Sequence, residues 1–226
     1  MVERILGHFT FFKFTDAYWQ LSEDKRTAAR NGFLQAIQQL PSHAQLYQIF
    51  PLSVESDILL WNSIRIEENS SPEDFFGILA QLINSQRAFL LPVRVWWGFT
   101  RPSDYSRGKS AQEIDPFSDE RLKNLTIYPF TKTAEWYQLK RDARQGMMNE
   151  HIRIGHQYPH IKQLLLYSTG LQDQEFIVVY EMDDITEFSS LVSDLRSTDA
   201  RRYTMQDTPV FSAVFHPPQE TLDLFH

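Results

Sequence analysis

The chain has 226 residues and a formal net charge of −7, which argues against a nucleic-acid footprint, since that needs clustered Lys and Arg. It contains no cysteine, so disulfides, iron–sulfur clusters and thiolate metal sites are excluded. Hydrophobic residues make up 42% and aromatic residues 14%, enough for a sizeable core or a wide apolar pocket. The first residues, "MVERILGHFTFFKF", lack the apolar run followed by small residues that marks a signal peptide. No stretch is apolar for long enough to cross a bilayer. A cytoplasmic protein is the expectation.

In chain order, "ILGHFTFFKFT" predicts a strand. Residues 22–39 predict a helix capped by Ser22, with Ala29, Phe33, Ile37 and Leu40 at spacings of four and three. "AQLYQIFPL" and "SDILLWNSI" predict two strands joined by a short polar turn. "SSPEDFFGILAQLINSQ" opens a second helix, with Ser71 as cap, Pro72 at its first position and acidic Glu73 and Asp74 complementing its dipole. "PVRVWWGF" is the next strand, its Trp96–Phe99 stretch read as core. Residues 101–122 carry no period and read as a long linking loop. Within it, Arg121 is either a solvated loop arginine or a partner for an anionic ligand group.

The order then repeats. "LTIYPFTK" is a strand, 134–156 mainly helix, and "HIKQLLLYS" and "EFIVVYEM" are strands around the turn "TGLQDQ". "EMDDITE" reads as the capped start of a helix over 184–196, with Ile185, Phe188, Leu191, Val192 and Leu195 on one face. "TPVFSAVF" is the last strand. Two halves, 1–110 and 111–226, thus share one βαββαβ order, the ferredoxin-like unit. The expected fold is α+β: a duplicated ferredoxin-like, barrel-like domain with two sheets facing each other.

"MMNEHIRIGHQYPHIKQLLLYSTG", residues 147 to 170, holds three of the seven histidines. In a helix over 134–156 the inward stripe is Leu139, Ala143, Met147, His151 and Ile154, so His151 lies on the apolar face. His156 falls about 140° round the helix, and His160 follows Pro159, so the three do not converge on a metal. His151 alone is either a core histidine with satisfied nitrogens or a single axial ligand of a haem iron. Near it in this reading are Met147, Met148, Trp136, Tyr137 and Gln163, the last on a strand face with Leu165 and Tyr167. No G-x-S-x-G, phosphate loop or H-E-x-x-H is present, so hydrolase and nucleotide-binding readings lack support.

"YPFTKTAEWYQL", "MMNEHIRIG", "YPHIKQLLLYSTGLQDQEFIVVYE" and "LVSDLRSTDARRYT" resemble the chlorite dismutase-like haem protein family, which includes chlorite dismutases and HemQ-type coproheme decarboxylases. The resemblance is strong over 125–204, weaker over 95–124 and slight before that. It implies haem (haem b or coproheme, with iron) in the C-terminal half, none in the N-terminal half, and a homo-oligomer, with a pentamer favoured. It makes His151 the proximal iron ligand, places Lys132 near the propionates and packs Trp136 beside the histidine. Tyr128 becomes the tyrosine that relays a radical in propionate decarboxylation. Asp199 takes the position of the acidic partner of the histidine, with Ala200 as the alternative register. On the distal face, aligned with a one-residue gap, stands Gln163, where functional chlorite dismutases have an arginine and many HemQ-type proteins a glutamine. "YPFTKTAEWY" lacks the four-residue insertion typical of HemQ-type chains and there looks closer to chlorite dismutases. The favoured expectation is peroxide-dependent coproheme decarboxylation in haem biosynthesis, with Tyr128 and Gln163 catalytic. The alternatives are chlorite dismutation to chloride and dioxygen, and a non-catalytic haem-binding or transfer protein.

Overall fold

The computed structural model describes residues 4–66, 72–105 and 110–226. Its first half comprises β1 (Arg4–Phe14), α1 (Asp16–Trp19), α2 (Glu23–Gln38), β2 (His43–Gln48), β3 (Ile58–Ile66), α3 (Pro72–Gln86) and β4 (Leu90–Phe99). The second comprises β5 (Asn124–Lys132), α4 (Ala134–Gln138), α5 (Arg141–Gly155), β6 (Lys162–Tyr167), β7 (Phe176–Met182) and α6 (Ile185–Arg196). A 3-10 turn (Asp199–Tyr203), β8 (Thr204–Gln206), β9 (Phe211–Phe215) and α7 (Pro218–Asp223) complete it. The repeated βαββαβ order is present, with the short α1, α4, β8, the 3-10 turn and α7 added to it. Ser71, expected to cap α3, lies outside the described residues.

The strands run β7-β6-β4-β1-β3-β2-β9-β5-β8, and β5 also pairs with β7. Eight strands therefore close into one ring, with β8 as an appendage on β5. The expected duplicated barrel is present, with its two four-stranded sheets joined edge to edge into one ring. Within it the halves have the same strand order, β4-β1-β3-β2 and β6-β7-β5-β9, joined head to tail. The seams are short: Phe99 pairs with Tyr167 on one side, and Tyr47 and Gln48 pair with Phe215 and Val214 on the other. At the first seam a Cβ on Gly98 would come within 2.7 Å of the Tyr167 carbonyl oxygen. Glycine is what lets the two strands approach there.

Alternation along the strands divides the core into three. Phe9, Phe11, Trp61, Trp96, Leu125, Ile127, Leu164, Leu166, Ile177 and Val179 fill the barrel. Leu6, Phe12, Leu46, Ile58 and Leu60 face outward under α2, α3 and α7. In the second half, Val178, Tyr180 and Met182 face outward under Phe188 and Leu191 of α6 and Ile154 of α5. Arg121 is neither solvated nor free for a ligand. Its side chain is 1% exposed, its guanidinium lies 3.4 Å from Glu181 and sits over the Trp61 ring.

Two other expectations fail locally. Leu139 and Lys140 are extended, with ψ of 143° and 149°, so the predicted helix over 134–156 is two helices and Leu139 leaves the His151 stripe. The linking segment is not a simple loop either: Ile114 is 2% exposed and belongs to the barrel core. No described helix is long and apolar enough to cross a membrane.

Candidate functional site

β5 sends Leu125 and Ile127 into the barrel, so Tyr128, Phe130 and Lys132 project to the outer, helix-bearing face. The same parity puts Phe176, Val178 and Tyr180 of β7 and Gln163, Leu165 and Tyr167 of β6 on that face. Phe130 stacks on Phe176 at 4.6 Å between centroids, and Tyr167 meets Phe176 edge-on at 5.3 Å. An aromatic row thus crosses three strands. α5 does not close over it. Leu165 remains 37% exposed and Gln163 is exposed. On α5 itself Met147 and His151 are half-buried, and Ile154 is its buried residue. The part of β6 that α5 leaves uncovered, with Gln163 and Leu165 on it, is the open cleft of this half.

His151 is the informative group in it. Its Nδ1 is buried and has no hydrogen-bond partner, an uncommon and unfavourable state for a polar atom. Burial, reinforced by the positive charge of Lys132 and only partly opposed by Glu150, lowers its pKa to about 4. The imidazole is therefore neutral at pH 7, with a lone pair free for a Lewis acid. His156 and His160 are exposed and do not share the cleft. Among the described residues no group of three or more His, Asp or Glu could hold a bare metal ion. One neutral imidazole beside the exposed Leu165 and the aromatic row instead fits an iron that brings its own planar ligands.

Lys132 and Trp136 stand together at one end. The Lys132 Nζ lies 4.6 Å from the Trp136 ring centroid and 3.4 Å from the Thr204 hydroxyl. Its backbone N–H donates to Glu175 at 2.7 Å. Burial, then Arg201, lower the Lys132 pKa to about 8, with Glu175 opposing. It remains largely cationic at pH 7 and is starved of counter-charge, a disposition that favours an incoming carboxylate. Trp136 is 4% exposed and packs against Tyr105 and Tyr203. The Tyr128 phenol is held well above its ordinary pKa, first by burial and then by Tyr180, whose ring stacks at 6.2 Å. It therefore keeps its proton across the working range.

The structure brings His151, Lys132 and Trp136 together, and sets Tyr128 on the strand face that Lys132 shares. Gln163 lies across the cleft from α5, on β6. Asp199 is not brought to His151: its exposed carboxylate sits 3.6 Å from Arg202, while its backbone N–H donates to Glu150 at 3.4 Å. Ala200 is the buried neighbour. Sequence reasoning missed the linker's part in the site. The Gln163 N–H donates to the Gln112 carbonyl at 2.7 Å, and the Ile114 N–H donates to the Gln163 carbonyl at 3.0 Å. The Gln112 side chain also donates to the carbonyls of Gly155, the last residue of α5, and of Tyr158 and Ile161 in the turn into β6. One residue thus ties the His151 helix to the Gln163 strand. With no period in the linker, no sequence signal could have found it. Tyr180 was legible only as an apolar strand position.

Residues 23–215 match the family model described as chlorite dismutase. The chain is 28% identical over 171 residues to the coproheme decarboxylase of Mycolicibacterium smegmatis, covering 74% of this chain and 70% of that one. Among solved structures, a doubly substituted chlorite dismutase of Candidatus Nitrospira defluvii superposes with a TM-score of 0.86 at 23% identity, covering 98% and 95% of the two chains. The same organism's chlorite dismutase in complex with imidazole gives 0.83 at 21%, covering 98% and 94%. At these identities the structural likeness speaks for the fold.

Proposed function

The chain belongs to the chlorite dismutase family, and from that premise we propose that it is a haem-dependent oxidoreductase that decarboxylates coproheme with peroxide. The carrying observation is the neutral, unpartnered His151 beside the open cleft. His151 would hold the iron, Trp136 would buttress it, and Lys132 would hold a propionate. Asp199 stays in this reading as the acidic partner only if it leaves Arg202 on binding. Bound coproheme supplies the iron at which peroxide is reduced and the propionates that lose CO2. Each propionate that becomes a vinyl group gives up CO2, one proton and two electrons, and those electrons, with two protons, convert one peroxide into two waters. Tyr128, protonated because it is buried, would release its electron and proton together, which suits it to carry the oxidising equivalent. A cytoplasmic homopentamer is part of the reading. The exposed Leu91, Val93 and Val95 of β4 support assembly, and light scattering measures it.

Gln163 favours this reaction over chlorite dismutation. Its amide is neutral and offers no charge to steer or hold an oxyanion. The test is to add peroxide to the coproheme complex and follow its mass. The wild type should lose two carboxyl groups, and Tyr128→Phe should bind coproheme within a few-fold of wild type yet leave it intact. Unchanged coproheme in the wild type would transfer the reading to a haem carrier. Sustained dioxygen release from chlorite would transfer it to chlorite dismutation. The wild type should release little dioxygen, and Gln163→Arg should release more.

A further inference from the structure

The linker runs beside β6 for one residue pair. Glu113 and Gln163 form a parallel bridge, and residues paired across a bridge project from the same face of a sheet. Ile114 identifies that face. It packs inside the barrel with Leu164 and Leu166, so Glu113, one residue earlier, projects the opposite way, alongside Gln163. Both side chains are exposed on the cleft side. The backbone beneath them is fixed by the Gln163–Gln112 and Ile114–Gln163 hydrogen bonds. The threefold attachment of the Gln112 amide to the end of α5 and the turn into β6 fixes it further.

We propose that Glu113 is the proton acceptor on the side of the site opposite His151. It takes the proton of a weak acid H–X as the anion X⁻ binds: the H–X bond breaks, an O–H bond forms on the carboxylate, and charge is conserved. With peroxide, X is HOO. This rests on the haem reading given above. Gln163 beside it donates an amide N–H to the bound anion but takes no proton. The titratable and charged groups on the other walls serve less well. His151 occupies the far wall on α5, next to Glu150. Lys132 and Arg201 at the end of β5 are cations. The Tyr128 phenol holds its proton. Arg101, over the Tyr167 ring, and Asp104 lie at the opposite end of β6 from Gln163. Asp115, on the linker, shares the parity of Glu113, but its carboxylate accepts the Phe117 N–H.

The probe is cyanide, a weak acid, binding to the ferric haem-loaded protein, followed by stopped-flow absorbance at several pH values. In the wild type the association rate should rise with pH. Glu113→Gln should bind about a hundredfold more slowly at neutral pH and lose that rise, a size ordinary for general-base assistance. Glu113→Asp should keep the rise at an intermediate rate. Haem uptake and melting temperature should stay unchanged in both, because the side chain is exposed. Wild-type rate and pH profile in Glu113→Gln would overturn the assignment while leaving haem binding intact. A protein that takes up no iron porphyrin would remove the haem reading and this one with it.

Discussion

The two halves carry the same strand order but finish their outer layers differently. In the first, Leu6, Phe12, Leu46, Ile58 and Leu60 are fully buried under α2, α3 and α7. In the second, the outer face of β5 and β7 is sealed by α6 and the end of α5, while β6 shows Gln163 and Leu165 to solvent. β2 and β6 are counterparts in strand order, yet Leu46 is buried and Leu165 is 37% exposed. The same unit is a closed core once and an open cleft once. What separates them is the second-half helix layer: the break at Leu139–Lys140 splits it, and Gln112 of the linker fastens the end of α5. The proposed binding site is the place where a duplicated core is left incomplete.

The sharpest way to break this comparison is at the open side. His151→Ala should weaken iron porphyrin binding by a hundredfold or more, about 3 kcal/mol, read from a Soret titration. The ligand-free protein should lose no stability and gain up to about 1 kcal/mol, because a buried unpartnered nitrogen is removed. His156→Ala, at the exposed end of α5, should leave the titration unchanged. Full retention of the spectrum in His151→Ala would place the ligand elsewhere.

Next comes a paired truncation. Leu60→Ala, in the sealed layer, should cost about 2–5 kcal/mol in urea unfolding. Leu165→Ala should cost under about 1 kcal/mol in the ligand-free protein, since its side chain is already in water for much of its surface, and should weaken porphyrin binding instead. Equal stability losses would erase the distinction between the halves.

The smallest effect concerns pH. His8 is 5% exposed, between β1 and the Phe75 and Phe76 rings of α3, and burial lowers its pKa to about 4. The unfolded chain binds this proton near pH 6.5 and the folded chain only near 4, so stability falls as pH drops between those values. From pH 7 to pH 5 the loss from His8 should be roughly 2 kcal/mol. In His8→Gln that component should vanish, leaving a flatter urea-measured profile.

Strand and helix periods made most of the fold legible. Alternation in "HIKQLLLYS" grouped Gln163, Leu165 and Tyr167 on one strand face, and the four-and-three spacing over 143–154 put His151 on the apolar side. The resemblance, not the period, singled out Lys132 and Gln163. Residues 101–122 gave nothing, because the contacts of the described ones, from the Gln112 amide, the Glu113–Gln163 bridge, buried Ile114 and Arg121, follow no period. Arg121 was misread for the same reason: its partner Glu181 is 60 residues away and the pair meets only inside the closed barrel.

By itself, then, the sequence determined the duplicated βαββαβ order, the placing of Met147, His151 and Ile154 on one face of α5 and the absence of cysteine chemistry. These depend on local period and composition. The tertiary structure alone decided that the halves close into one ring, that α5 stops short of covering β6, and that the linker carries Glu113 to the side of Gln163. Those outcomes depend on strand pairing between residues far apart in the chain, and on steric fits such as Gly98 against Tyr167, which no local pattern encodes.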